Sequence, residues 1–222
     1  EEIKEIYLNL PLLEFKDGNF GFIRNIFRLL YYFGYYKGEF INDYYKNLIK
    51  NKLGNENATF LDLYNHNNNI LKITGTCLNN HNLEIFDYIN TPNMELSKAI
   101  QISSCIPFVF KPVIYNNLYY VDGGCLCNLP KNIFDNDNKV DNSLVFDLVN
   151  SEEKISINNI KDFIFNLINT IYIKANENKA ENDKIKIIKI DTKNIDGLNF
   201  NLTNIEKDLL INQGYISTLY NL

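Results

Sequence analysis

Apolar residues recur at helical spacing in some stretches of the chain and crowd into short blocks in others, and the two kinds alternate. Ile3, Ile6, Tyr7 and Leu10 share one stripe, so residues 1–14 read as an amphipathic helix interrupted at Pro11. Asp17-Gly18-Asn19 marks a turn. From 20 to 33 the chain is strongly apolar, with Arg24 and Arg28 four residues apart on its one polar face. That stretch is too short and too charged to span a bilayer. It suits a core-facing helix, the favoured reading, or an interfacial surface that meets lipid. Gly34 and Gly38 punctuate the chain before a second amphipathic helix over 39–52, with Phe40, Tyr44, Leu48 and Ile49 inward and Gly54 as its C-cap.

Another short element begins at 59–64, and the Asn-rich run 65–69 reads as a loop. Residues 70–77 form a strand that 83–88 answers across a turn at 79–82. Residues 94–103 are helical, with Leu96, Ala99 and Ile100 as the apolar stripe and Pro107 as the stop. The continuous apolar block 143–149 is of the type found buried in parallel sheets. A long helix over 160–176, a strand over 184–190 and a helix over 205–219, broken near Gly214, complete the pattern. Helices alternating with short apolar strands predict an α/β fold in layers, a central mostly parallel sheet flanked by helices, without repeat or linker.

The 222 residues suffice for one domain with a substantial core. Hydrophobic residues at 45% and charged residues at 22% exclude wholesale disorder. The net charge of −5 comes from interspersed acidic and basic residues, and no basic stripe of the kind nucleic acid requires is present. Cys77, Cys105, Cys125 and Cys127 form no disulfide ladder and read as small hydrophobes in a reducing compartment. Cys125-x-Cys127 lacks a second ligand pair, and with only His66 and His81 available no metal or other cofactor is expected. The chain opens without a Met and already inside a helical pattern, so it reads as a fragment, and the missing signal peptide carries no information.

The chemistry concentrates in the stretch from Ser103-Ser104-Cys105-Ile106-Pro107 through Tyr119-Tyr120-Val121-Asp122-Gly123-Gly124 to Asn128-Leu129-Pro130. It sets one carboxylate, Asp122, at the end of an apolar strand, followed by two glycines. Asp-Gly alone is a common turn, and an Asp122 that merely hydrogen-bonds its own turn is the structural alternative. Together these residues resemble the patatin-like phospholipase family, most strongly over 95–130 and more weakly over 207–220.

The resemblance implies a serine–aspartate dyad in which Asp122 is the proton acceptor, with Gly123 and Gly124 allowing left-handed or close backbone conformations beside the serine. The family's nucleophile sits in a Gly-x-Ser-x-Gly elbow. No such motif occurs here, because the serines at 97, 103, 104, 143, 151, 156 and 217 all lack flanking glycines. The glycine-rich oxyanion loop is absent too. Residues 1–222 are therefore expected to be a partial patatin-like domain whose elbow and loop lie upstream. Ser103 and Ser104 are read as a structural helix end, and Tyr119 and Tyr120 as strand residues. His66 and His81 are placed in surface turns.

The expected activity of the parent protein is phospholipase A-type hydrolysis of phospholipid or other acyl-lipid esters, with the fragment alone inactive. A catalytically inactive binding or scaffold module is the alternative, and a soluble esterase or thioesterase a third. Peripheral membrane contact is left open, nucleic acid is not expected as a partner, and a cytoplasmic or membrane-peripheral location is favoured.

Overall fold

In the computed structural model, the backbone is described for residues 2–134, 143–149, 157–174, 185–193, 195, 197 and 199–221. In chain order the elements are α1 (Glu2–Leu8), a 3-10 turn (Leu12–Phe15), α2 (Phe22–Tyr32), β1 (Gly34–Tyr36), α3 (Glu39–Leu53) and α4 (Phe60–Asn67). Then come β2 (Ile73–Cys77), β3 (Asn82–Phe86), α5 (Leu96–Ser103), β4 (Phe108–Phe110), β5 (Val113–Tyr115), β6 (Leu118–Asp122) and α6 (Gly124–Cys127). The last four are β7 (Ser143–Val149), α7 (Ile160–Lys174), β8 (Ile185–Asp191) and α8 (Asn204–Asn221). Two compact units share them. One comprises Glu14–Asn128 with Ile164–Asn178, and the other Glu1–Leu13, Leu129–Phe163 and Lys179–Leu222, so the division falls within α7.

In the first unit a four-stranded sheet runs in the order β3-β2-β6-β5, antiparallel throughout. Tight turns impose that direction on the β2-β3 and β5-β6 pairs. β5 and β6 are joined by Asn116-Asn117 alone, at φ 48° and 62°, the two successive positive values that a type I′ hairpin needs. His81, at φ 56°, helps turn β2 into β3. β1 and β4 form a separate parallel pair with Gly34 opposite Phe108 and Tyr36 opposite Phe110. Helix α5 lies against β2, β6 and α3, and Ile102 and Ala99 on it are completely buried. Phe60, Phe86 and Met94 fill the same core, each side chain worth about 1.5–3 kcal/mol on removal from water.

The helices begin where side chains satisfy their free N–H groups. Thr59 Oγ1 accepts the Asp62 N–H at 3.2 Å while Asp62 Oδ2 accepts the Thr59 N–H at 2.9 Å, a reciprocal capping box on α4. That cap carries α4 through Asn67, into the run read from sequence as loop. For α3 the cap comes from far along the chain. Asp17 accepts the N–H groups of Gly38, Glu39 and Phe40 at 2.7, 2.7 and 2.9 Å. Gly54, at φ 75°, closes α3 as expected, its N–H donating to the Lys50 carbonyl at 2.8 Å.

In the second unit β7 and β8 pair in parallel from Ser143 opposite Ile185 to Val149 opposite Asp191. Helix α8 packs on β8 and against α1. Lys207, largely buried on α8, donates from Nζ to the Leu8 and Leu10 carbonyls at 2.7 and 3.2 Å, satisfying the C-terminal end of α1.

The mixed α/β class with parallel strand pairs agrees with the sequence pattern, while the sheet that holds Asp122 is antiparallel. Three further readings are corrected. Leu144, Phe146 and Leu148 on β7 are exposed, so that strand has one covered face and not two. Helix α8 runs unbroken through Gly214, whose carbonyl accepts the Thr218 hydroxyl at 2.7 Å; one helical glycine costs only about 1 kcal/mol. Helix α2 does not turn most of its large apolar residues to the core: Phe22, Ile23, Phe27, Leu30 and Tyr31 all face solvent. The ends expected at 175–176 and 184 lie outside the described residues. No described helix is long and apolar enough to cross a membrane.

The Asp17 cap is testable. Asp17→Ala removes three hydrogen bonds at once and is expected to destabilise the protein by about 1–3 kcal/mol. Denaturant unfolding of the variant against wild type measures it.

Candidate active site

Asp122 is the last residue of β6, opposite Gly75 of β2, and its backbone is held on both sides. Its N–H donates to the Cys105 carbonyl at 2.9 Å, and its carbonyl accepts the Thr76 hydroxyl at 2.9 Å. The carboxylate is half-buried, and its Oδ1 accepts the Gly124 N–H at 2.7 Å. The side chain is therefore an acceptor of fixed direction at the rim of a buried strand.

The two residues after Asp122 differ in why they are glycines from what the sequence suggested. Neither adopts a left-handed conformation: Gly123 sits at φ −61° and Gly124 opens the short helix α6. Gly123 is required by space. A Cβ there would lie 2.3 Å from Thr74 Oγ1 and 2.7 Å from Thr74 Cβ. Gly75 is equally confined, since a Cβ would come 2.6 Å from Ile102 Cγ2 and 2.8 Å from the Phe86 ring. The close approach that these distances show is made against β2.

Ser103 is the final residue of α5 and Ser104 its C-cap, the Ser104 N–H donating to the Ile100 carbonyl at 3.0 Å. Both belong to the helix end that delivers Cys105 to Asp122. Ser97 is fully buried within α5, Ser143 opens β7 and Ser217 lies on α8 in the other unit; Ser151 and Ser156 are outside the described residues. Tyr119 and Tyr120 are strand residues as expected, and the Tyr120 hydroxyl donates to Glu84 Oε2 at 2.8 Å. Burial, with Glu84 adding to it, raises the Tyr120 phenol above its ordinary range. His66 and His81 are both exposed, although His66 stands in α4 and not in a turn.

Cys77, Cys105 and Cys127 are buried thiols and Cys125 is half-buried. Cys105 Sγ points at the Lys111 carbonyl, 3.2 Å away. Burial pushes the Cys105 thiol up to about 12, and the Asp122 charge adds to the effect. Among the described residues no three His, Cys, Asp or Glu side chains converge as a metal-ligand set. The role of Thr76, whose hydroxyl bonds the Asp122 carbonyl, is not legible in the sequence, because a contact across 46 residues leaves no local signal.

Two measurements follow. Gly123→Ala is expected to lower stability by about 1–3 kcal/mol, because the new methyl group overlaps Thr74; thermal unfolding reads the loss. Cys105 is expected to resist iodoacetamide at mildly alkaline pH in the native protein and to react once it is unfolded, as followed by peptide mass.

The family model described as patatin-like phospholipase matches residues 1–135. An uncharacterized protein of Acanthamoeba polyphaga mimivirus is 29% identical over 227 residues, covering 96% of this chain and 72% of the viral protein. A protein of invertebrate iridescent virus 6 named as a probable lipid hydrolase is 35% identical over 75 residues, covering 34% of this chain and 26% of its own length. Asp122, Gly123 and Gly124 fall within the matched family stretch, and the chain belongs to the patatin-like phospholipase family.

Proposed function

We propose that this chain is the aspartate-bearing part of a lipid acyl hydrolase that cleaves ester bonds of phospholipids or related acyl lipids. The observation that carries the reading is the Asp122 carboxylate, held at the end of β6 by the Gly124 N–H and by backbone bonds to β2 and to the end of α5. Family membership supports it, as does the name of the iridescent virus relative.

In this reading Asp122 takes the proton from a serine hydroxyl as its oxygen attacks the ester carbonyl. The proton then passes to the departing alcohol, leaving an acyl-serine. Asp122 next deprotonates the water that releases the fatty acid and returns that proton to the serine. The serine and the donors for the developing oxyanion are proposed to lie outside these 222 residues, because no serine here has the glycine neighbours of an elbow. An acyl lipid is met at a membrane surface, so peripheral contact with the bilayer belongs to the same reading.

In the full-length protein, Asp122→Asn is expected to keep its melting temperature and lose turnover on the order of 100- to 10,000-fold, since an amide cannot accept the serine proton. Wild-type turnover by the folded variant would reduce Asp122 to a turn residue. Fluorophosphonate labelling adds an independent check. The full-length protein is expected to carry one labelled serine outside residues 1–222, and these residues alone none. A full-length protein that neither labels nor turns over esters would instead be a binding module.

A further inference from the structure

Helix α2 carries its side chains inside out. Its covered residues are Asn25, which is fully buried, with Ile26, Arg28 and Leu29. Its open face presents Ile23, Phe27 and Leu30, which are 70%, 55% and 67% exposed. A helix of a water-soluble fold ordinarily turns its apolar stripe to the core. An exposed patch of this kind marks an interaction site.

The inversion is held by specific bonds. Asn25 Nδ2 donates to Asn19 Oδ1 at 2.7 Å. Arg28 donates to the Tyr35 carbonyl at 2.9 Å and also to the Gly18 carbonyl, which ties α2 to β1 and to the turn before it. Rolling the helix over to bury Phe27 and Leu30 would surrender all three. At the C-terminal end Phe33 occupies the left-handed cap position at φ 64° with its ring 55% exposed, where glycine would be unstrained.

Charge identifies the occupant. Residues 19–36 contain two arginines and no acidic residue, in a chain of net charge −5. Arg24 lies over the Phe20 ring, 4.6 Å from its centroid, and among the described residues neither Arg24 nor Arg28 pairs with a carboxylate. Aromatic rings beside the exposed Arg24 guanidinium suit the boundary between headgroups and acyl chains. A two-fold contact with a second copy across this helix would instead set like charges together. Eleven residues of helix are too few to cross a bilayer, which leaves contact along its surface as the only mode open to this helix.

We propose that α2, with Phe20 and Phe33 at its ends, is the surface by which the protein docks on an anionic phospholipid bilayer. Ile23, Phe27 and Leu30 enter the acyl boundary and Arg24 meets headgroup phosphate. The proposal deepens the lipid hydrolase reading and rests on it for the class of surface the protein meets.

The experiment is co-sedimentation of the full-length protein with ether-linked phosphatidylcholine vesicles, with and without ether-linked phosphatidylserine, which cannot be hydrolysed. The combined variant Ile23→Ser, Phe27→Ser and Leu30→Ser is expected to lose at least about tenfold in partitioning on both compositions at an unchanged melting temperature. Arg24→Glu is expected to lose on the order of tenfold on the phosphatidylserine vesicles alone. Turnover of a soluble short-chain ester should be the same in all of them.

Wild-type partitioning by the triple variant overturns the proposal. So does a wild-type protein that ignores vesicles while the triple variant falls from dimer to monomer, the mark of a second copy on this face. A wild-type protein that ignores vesicles while the triple variant loses melting temperature also overturns it, because another segment of the chain then covers the helix. Protein that binds the ether lipids but leaves the soluble ester intact sinks the hydrolase reading and keeps the docking surface.

Discussion

Between Thr74 and Gly123 there is no room for a methyl group, and the arrangement around Asp122 follows from that closeness. Because the turn after β6 rests directly on β2, Thr76 reaches the Asp122 carbonyl and α6 can start with the Gly124 N–H aimed at the carboxylate. The same crowding recurs one layer down, where Gly75 leaves space for Ile102 of α5 and the Phe86 ring. Helix α5 is thereby pressed against the sheet, and its C-terminal end arrives where the Cys105 carbonyl can take the Asp122 N–H. The acceptor is positioned by backbone packed at glycine distance, which side-chain motion cannot loosen.

What the sequence disclosed, and what it withheld, divides along the range of the interactions. Local signals were legible. The stripe of Leu96 and Ala99 marked α5, Gly54 marked the end of α3, and the Asp122-Gly123-Gly124 turn marked the candidate site. The Asn116-Asn117 hairpin and the Thr59/Asp62 capping box were equally local and readable from turn and cap chemistry, yet were overlooked. Pairings between distant residues were not readable. Nothing near Asp17 announces that it caps a helix beginning 22 residues later, and nothing in β2 announces β6 as its neighbour.

Helix α2 failed for a different reason. Periodicity reports that a helix has an apolar face, and only the tertiary bonds of Asn25 and Arg28 decide which way that face points. The same limit applies to β7, where a continuous apolar run predicted burial on two sides and the strand has one. In both cases the sequence pattern measures hydrophobicity, while the choice of what meets it is made elsewhere in the chain.

The Lys207 ammonium bridges residues 199 positions apart in the chain when it closes the end of α1. The unit containing it draws on residues 1–13 and on residues 179–222, whereas most of the other unit is the single run 14–128. On the ribosome α1 must therefore wait for α8 while the intervening chain is made, and the unit around 14–128 has most of its residues long before α8 emerges. Loop closure over that distance is slow although its entropic cost grows only logarithmically. Assembly order is thus built into the connectivity: the half that carries Asp122 can organise early, and the half that gathers both ends of these 222 residues seals last.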